Sequence, residues 1–261
     1  MLDGTIFTDA VFGLAALWAA VYGALLALYF GCGSALEAVS RRHPERRIQS
    51  RAPSDRATDI RQSWTSLATI ALYVAGGLWA QTQGLTLFAP WELSWMSAIG
   101  GFALLLLSYD AWFYWFHRLM HTRSLYRFHA QHHKSLAPRP WSNNNDTLVG
   151  TFFEQSYFLF VALLLPIPPA VLVVHKIWDQ VTGMIGHAGY EFFASPTARA
   201  PWPGVCTTFH DQHHAHFRVN FANTFSFWDR LMGTIHPAYD AKVEAFEAVA
   251  RAETDAHHTA E

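Results

Sequence analysis

Cysteine and charge are both scarce in this sequence of 261 residues. Its two cysteines, Cys32 and Cys206, make no disulfide framework. They also stand apart from every histidine cluster, so thiolate ligation is not expected. Asp, Glu, Lys and Arg make up only 15% of the chain, whereas 51% is hydrophobic. Ordinary soluble domains carry about 25% charged residues, so the balance leans towards a membrane protein. The formal net charge of −2 offers no basic footprint for nucleic acid. Two motifs are missing as well. Without H-E-x-x-H the chain lacks the general base of a zinc hydrolase. Without Glu-x-x-His it lacks the pattern of soluble carboxylate-bridged di-iron bundles.

What is present comes in blocks. Residues 10–36 contain no charged side chain. A bilayer core of about 30 Å needs about 20 helical residues, so this run is a transmembrane helix. It has no basic stretch before it and is too long for a signal-peptide core. The segment 37–61 follows with Arg41, Arg42, Arg46, Arg47, Arg51, Arg56 and Arg61. Short loops rich in Lys and Arg stay in the cytoplasm, which puts the N-terminus on the opposite side. Further spans are expected at 62–82 and 93–116. Residues 151–165 and 170–186 are apolar, with Pro166, Pro168 and Pro169 between them. Proline breaks a helix, so 151–186 reads as a bent hairpin that enters the bilayer and returns. The expected fold is a single all-α integral-membrane domain over 1–261. It has about four transmembrane helical elements, a cytosolic histidine-rich cap at 117–150 and 187–240, and a solvated tail at 241–261.

Fifteen histidines are the unusual count. His117 and His121 are spaced H-x3-H; His129, His132 and His133 are spaced H-x2-HH; His210, His213 and His214 repeat that second spacing. Residues three or four apart share a helix face, so each cluster can aim several imidazoles at one point. One such pair alone is weak evidence against solvated surface histidines. Three clusters on one side of the membrane are too many for a closed four-ligand zinc site and suit two ions. A metal-binding transporter or sensor would carry its ligands near mid-membrane along a path, whereas these sit at a helix end and beyond.

These residues resemble the fatty acid hydroxylase/sterol desaturase superfamily of membrane histidine-box di-iron oxygenases. The resemblance covers about 110–234. It rests on D-x-x-F-Y-W-x-H-R-x-x-H at Asp110–His121, Y-R-x-H-x-x-HH at Tyr126–His133, H-D-x-HH at His210–His214, and W-D-x-x-x-G-T at Trp228–Thr234. It implies that the histidines of all three clusters bind two iron ions, for which zinc can substitute in purified protein. It further implies that O2 is the co-substrate and that a lipid C–H bond is hydroxylated or, alternatively, desaturated. His187, in G-H-A-G-Y, fits the extra histidine of the family. Gly183 occupies the place where some relatives carry another, and the H-P pair that many relatives have after the second box is missing.

Metal-bound histidines donate their other N–H to carboxylates or carbonyls. Asp110, Asp179 and Asp211 are the candidates for that role, with Asp229 and Glu154 behind them. Asp110 lies seven residues before His117, about 10 Å along the helix, so it is expected to serve another helix or a polar substrate group. Trp112, Trp115, Phe153 and Tyr157 are the candidate substrate-pocket residues, in an apolar pocket bounded by the third span and the hairpin. His43, His216, His236, His257 and His258 are not expected to be ligands, and His175 is open. Electrons are expected from a separate carrier, cytochrome b5-like or a ferredoxin with its reductase. The basic residues Arg118, Arg123, Arg127, Lys134 and Arg139 suit an acidic carrier or anionic lipid headgroups.

Overall fold

The computed structural model of the chain describes residues 4–258. The extreme N-terminus, the last three residues, and the side chains of His257 and His258 lie outside the described residues. All regular elements among the described residues are helical; extended pairing is limited to isolated bridges such as Arg47 with Tyr190. The long helices are α1 (Gly4–Ser40), α2 (Arg56–Thr82) and α3 (Trp95–Met120). The short α4 (Tyr126–His129) leads to a 3-10 turn at His132–Lys134. Then come α5 (Leu148–Gln155), α6 (Tyr157–Leu164), α7 (Pro169–Gly186), α8 (Thr207–His216), α9 (Phe227–Leu231) and α10 (Tyr239–His258). Two of these, Ala10–Ser40 and Trp95–Met120, are long and apolar enough to cross a membrane.

Local chemistry sets the boundaries. Asp55 caps α2 by accepting from the Thr58 N–H at 2.8 Å. Ser94 and Ser97 close a reciprocal capping box on α3, and Thr147 caps α5. Pro166 and Pro168 fall in the break between α6 and α7, as the sequence requires. The α2–α3 connection covers this break: the Leu87 N–H donates to Leu163 O at 2.8 Å and the Trp91 N–H to Pro166 O at 2.9 Å.

Close approach holds the bundle together. A Cβ on Gly77 would stand 2.7 Å from that of Ala162, so only glycine lets α2 touch α6. A Cβ on Gly33 would stand 2.7 Å from the ring of Trp141, a fully buried side chain. Tyr29 donates to Trp141 O at 2.6 Å, and the Arg56 guanidinium lies 4.5 Å above that indole. These contacts lock α1 and α2 onto the loop that follows the second histidine cluster. Gly101 near the start of α3 faces Val171 and Ile167 near the start of α7. The two helices therefore run in the same direction, and His117 and His187 emerge at one end.

Candidate metal centre

Five elements deliver nine histidines to that end. His117 lies in the last turn of α3 and His121 is its C-cap. His129 closes α4, His132 and His133 form the 3-10 turn, and His187 is the C-cap of α7. His210, His213 and His214 lie on one turn of α8. The nitrogens form two groups, each with its atoms within 4.8 Å of one another: His117, His121, His129, His133 and His213; and His132, His187, His210 and His214. Eight of the nine are those of the three spaced clusters, and the ninth, His187, is the one that the family resemblance adds. His43, His175, His216 and His236 belong to neither group.

The hydrogen bonds fix which nitrogen faces inward. His187 Nδ1 donates to Gly183 O at 2.8 Å, His213 Nδ1 to Val219 O at 2.7 Å, His117 Nδ1 to Phe221 O at 2.8 Å, and His132 Nδ1 to Asn145 O at 3.3 Å. A carbonyl only accepts, so in each neutral ring the proton sits on Nδ1 and Nε2 carries a lone pair. Yet His187 Nε2 and His132 Nε2 are 3.2 Å apart. Two lone pairs at that distance repel unless a cation lies between them. Nitrogens each about 2.1 Å from one ion and at right angles stand about 3.0 Å apart. The observed Nε2 spacings suit this: 3.0 Å for His121–His133 and His187–His210, and 3.1 Å for His133–His213 and His210–His214. The Nε2 atoms of His117 and His129 are buried with no hydrogen-bond partner at all. The donor set therefore fits two borderline cations, and imidazole suits iron as well as zinc.

Electrostatics agree. Burial pushes His121, His129, His133, His187, His210, His213 and His214 below the ordinary histidine range, and mutual repulsion among them adds to the shift. His132 is lowered by burial too, with Asp146 opposing. The rings are held neutral, the form a metal binds.

The carboxylates divide differently from the sequence expectation. Asp146 is the one that reaches a histidine closely, with Oδ2 3.2 Å from His129 Nδ1; Glu154 stands 3.8 Å from the same nitrogen. Asp110 meets no histidine: its Oδ1 accepts from the Thr224 and Phe225 N–H groups at 2.8 and 3.0 Å. The 222–226 loop crosses α3 at that level, which gives Asp110 backbone donors instead. Asp229 holds the Phe221 and Ala222 N–H groups, and Phe221 O then receives His117. Asp211 accepts from Gln49 at 2.8 Å, tying the basic loop to α8. Asp179 pairs with Lys176 at 2.6 Å. Asp146 ends an Asn-Asn-Asn-Asp run just before Thr147, the α5 cap, a polar cluster that could have flagged it. The carbonyl partners carry no signature in sequence.

A cavity of about 470 Å³ opens beside the four-histidine group. His132, His187 and His210 line it, and it runs along α7 to Asp179 and Gln155. Phe113 is in its wall, but Trp112, Trp115, Phe153 and Tyr157 are not. Those four pack elsewhere: Trp112 donates to Phe153 O, Trp115 lies against Trp228, Phe153 against Phe116, and Tyr157 bonds Ser108. Trp112, Phe153 and Tyr157 join α3 to the α5–α6 arm, and Trp115 joins α3 to α9. At Gly183, the place of a further histidine in some relatives, a Cβ would meet Asn143 Oδ1 at 2.6 Å, so the Asn143 side chain takes that space. His175 is buried among Phe102, Tyr109 and Phe158 with neither ring nitrogen partnered.

Apolar helices capped at one end by a buried polyhistidine centre define a histidine-box membrane protein. Residues 102–234 match the family profile described as Fatty acid hydroxylase, and the chain belongs to that family, within the fatty acid hydroxylase/sterol desaturase superfamily. It is similar to Methylsterol monooxygenase 1 of Gallus gallus, 31% identical over 48% of this chain and 42% of that protein. It is also similar to Cholesterol 25-hydroxylase of Rattus norvegicus, 33% identical over 63% of this chain and 55% of that protein. A third relative is Delta(7)-sterol 5(6)-desaturase ERG3A of Gibberella zeae, 27% identical over 51% and 37%. The chain spans about half the length of the curated relatives it matches. No solved structure matches it significantly.

Proposed function

We propose that this protein is a membrane-bound, O2-dependent lipid hydroxylase with a two-iron centre held by His117, His121, His129, His133 and His213 on one side and His132, His187, His210 and His214 on the other. The observation that carries the reading is the pairing of those two groups with a cavity that three of the histidines line. The names of the relatives support oxidation of a lipid. Iron bound at these imidazoles would supply dioxygen activation and the redox change. The protein's own residues do the rest. Carbonyls and Asp146 fix the tautomers of His117, His129, His132, His187 and His213, the cavity holds the lipid carbon beside His132, His187 and His210, and the apolar wall excludes water. Hydroxylation takes one oxygen atom into the product and releases the other as water, using two electrons and two protons. Desaturation consumes the same electrons and protons and releases two waters; it is the second reading, since a relative of each kind is found.

The reading carries spans at 10–36, 62–82 and 93–116 and a hairpin at 151–186, with the centre at the cytoplasmic face and the N-terminus opposite; the arginine-rich segment 37–61 supports that orientation. Large apolar side chains exposed on α1, α3 and α7, among them Phe12, Ile99, Leu107, Val174 and Ile177, support lipid contact. The electrons come from a separate carrier docked near Arg118, Arg123 and Arg127. The test supplies iron-loaded protein with reductant, 18O2 and a lipid panel, and reads product mass. One 18O atom in the product supports the hydroxylase. Loss of two hydrogens moves the reading to desaturase, and no O2-dependent product from any lipid contradicts both.

A further inference from the structure

The cavity has two ends of different chemistry. Near the histidines it is walled by Val205, Phe209 and Ile185. The other end holds Asp179 and Gln155, eight and more residues back along α7 and α5. Eight residues of helix put Asp179 about 12 Å from the His187 level. Asp179 is nine-tenths buried, and Lys176 beside it is 3% exposed. A buried ion pair inside an apolar hairpin is expensive to form, and an intramembrane ionisable group is a functional candidate. Neither residue reaches a histidine of the metal centre.

The bonding at this end is uneven. Lys176 Nζ is spent on Asp179 Oδ2 at 2.6 Å and Gln155 Oε1 at 2.7 Å. Gln155 Nε2 donates to the Tyr109 hydroxyl at 2.8 Å, so its amide is used at both ends. Gln180 and Asn144 are bonded to each other. A carboxylate offers about four lone-pair sites; Lys176 and the Tyr109 hydroxyl take two of those of Asp179, which leaves it acceptor capacity. No Lys or Arg is among the residues that line the cavity, while Asp146, Glu154 and Asp179 are. A carboxylate or phosphate head would find acceptors and no counter-ion. A hydroxyl head would find an acceptor already neutralised by Lys176.

We propose that Asp179, neutralised by Lys176, is a positioning residue that anchors the hydroxyl head of an alcohol-class lipid at the far end of the cavity, setting which carbon lies beside the histidines. This rests on the lipid-oxidase reading for its purpose, but its test reads binding alone. The full chain in detergent is titrated with tritiated dodecan-1-ol, dodecanoic acid and dodecylamine, at a pH where the acid is ionised, and bound label is counted. The alcohol is expected to bind about tenfold or more tightly than the acid, the scale of one hydrogen bond to a charged group, and more tightly than the amine. Because D179N alone leaves a buried ammonium unpaired, the informative variant is Asp179→Asn with Lys176→Gln. It is expected to keep the melting temperature within a few degrees and to lose the preference for alcohol over acid. Acid or amine binding at least as well as the alcohol would overturn the proposal, as would an unchanged preference in the double variant. Alcohol selectivity without O2-dependent turnover would leave this inference standing and remove the oxidase reading.

Discussion

His129 shows what single residues contribute. Its Nε2 is buried and unpartnered, while Nδ1 meets Asp146. Outer-sphere partners of this kind are worth about 10- to 100-fold in metal affinity. Asp146→Asn is therefore expected to weaken the metal of the His129 group by about that factor, read by chelator competition, and the other, whose His132 feels the Asp146 charge without bonding it, by less. Equal weakening of both would contradict the division into two groups. A second expectation concerns acid. The eight histidines of the two groups that lie outside α3 have folded-state values below the unfolded value of about 6.5. Below that pH the unfolded chain takes up protons that the folded one refuses, so stability falls as pH falls. The loss starts near pH 6.5 and, for His187, continues to about pH 3. Burial pushes Asp146 and Asp211 up, which acts in the opposite sense, but the eight histidines outnumber them. The metal-free protein should melt at a lower temperature at pH 5.5 than at pH 7.5; a flat profile would contradict the account.

At the scale of elements, much was legible in sequence. Residues 10–36 carry no charge and 93–116 only Asp110; α1 covers the first and α3, from Trp95, nearly all of the second. Pro166, Pro168 and Pro169 announce the break between α6 and α7, and the histidine spacing selects eight of the nine converging rings; His187 enters only through the family resemblance. What stayed hidden is long-range pairing. Nothing near Asp110 in sequence says that the 222–226 loop will cross it, and the carbonyls of Phe221, Val219 and Asn145 are invisible to residue type. The lining of the cavity differs from the expected residues through helix rotation: Trp112 and Phe113 are neighbours in sequence, but only Phe113 turns to the cavity. Gly150 illustrates the hidden layer. A Cβ there would collide with the Asp146 carboxylate. Gly150→Ala should reproduce the metal-affinity loss of Asp146→Asn while retaining helical circular dichroism. Full metal affinity in that variant would show that Asp146 does not hold His129.

At the scale of the whole molecule, Trp141 is central among the contacts that join the apolar bundle to the polar cap. It is fully buried between α1, α2 and the loop before α5. Replacing a buried tryptophan by alanine costs about 3–5 kcal/mol, so Trp141→Ala should lower the melting temperature strongly even with metal bound. A shift of under one degree would mean that α1 is not fastened there. The central claim is that one chain brings nine histidines to two ions. Its most direct test is metal counted per chain in iron-replete protein, with iron and zinc summed, for the wild type, His121→Ala and His210→Ala. The account predicts about two ions in the wild type and about one in each variant, from different groups. At most one ion in the wild type, or occupancy indifferent to both substitutions, would contradict it.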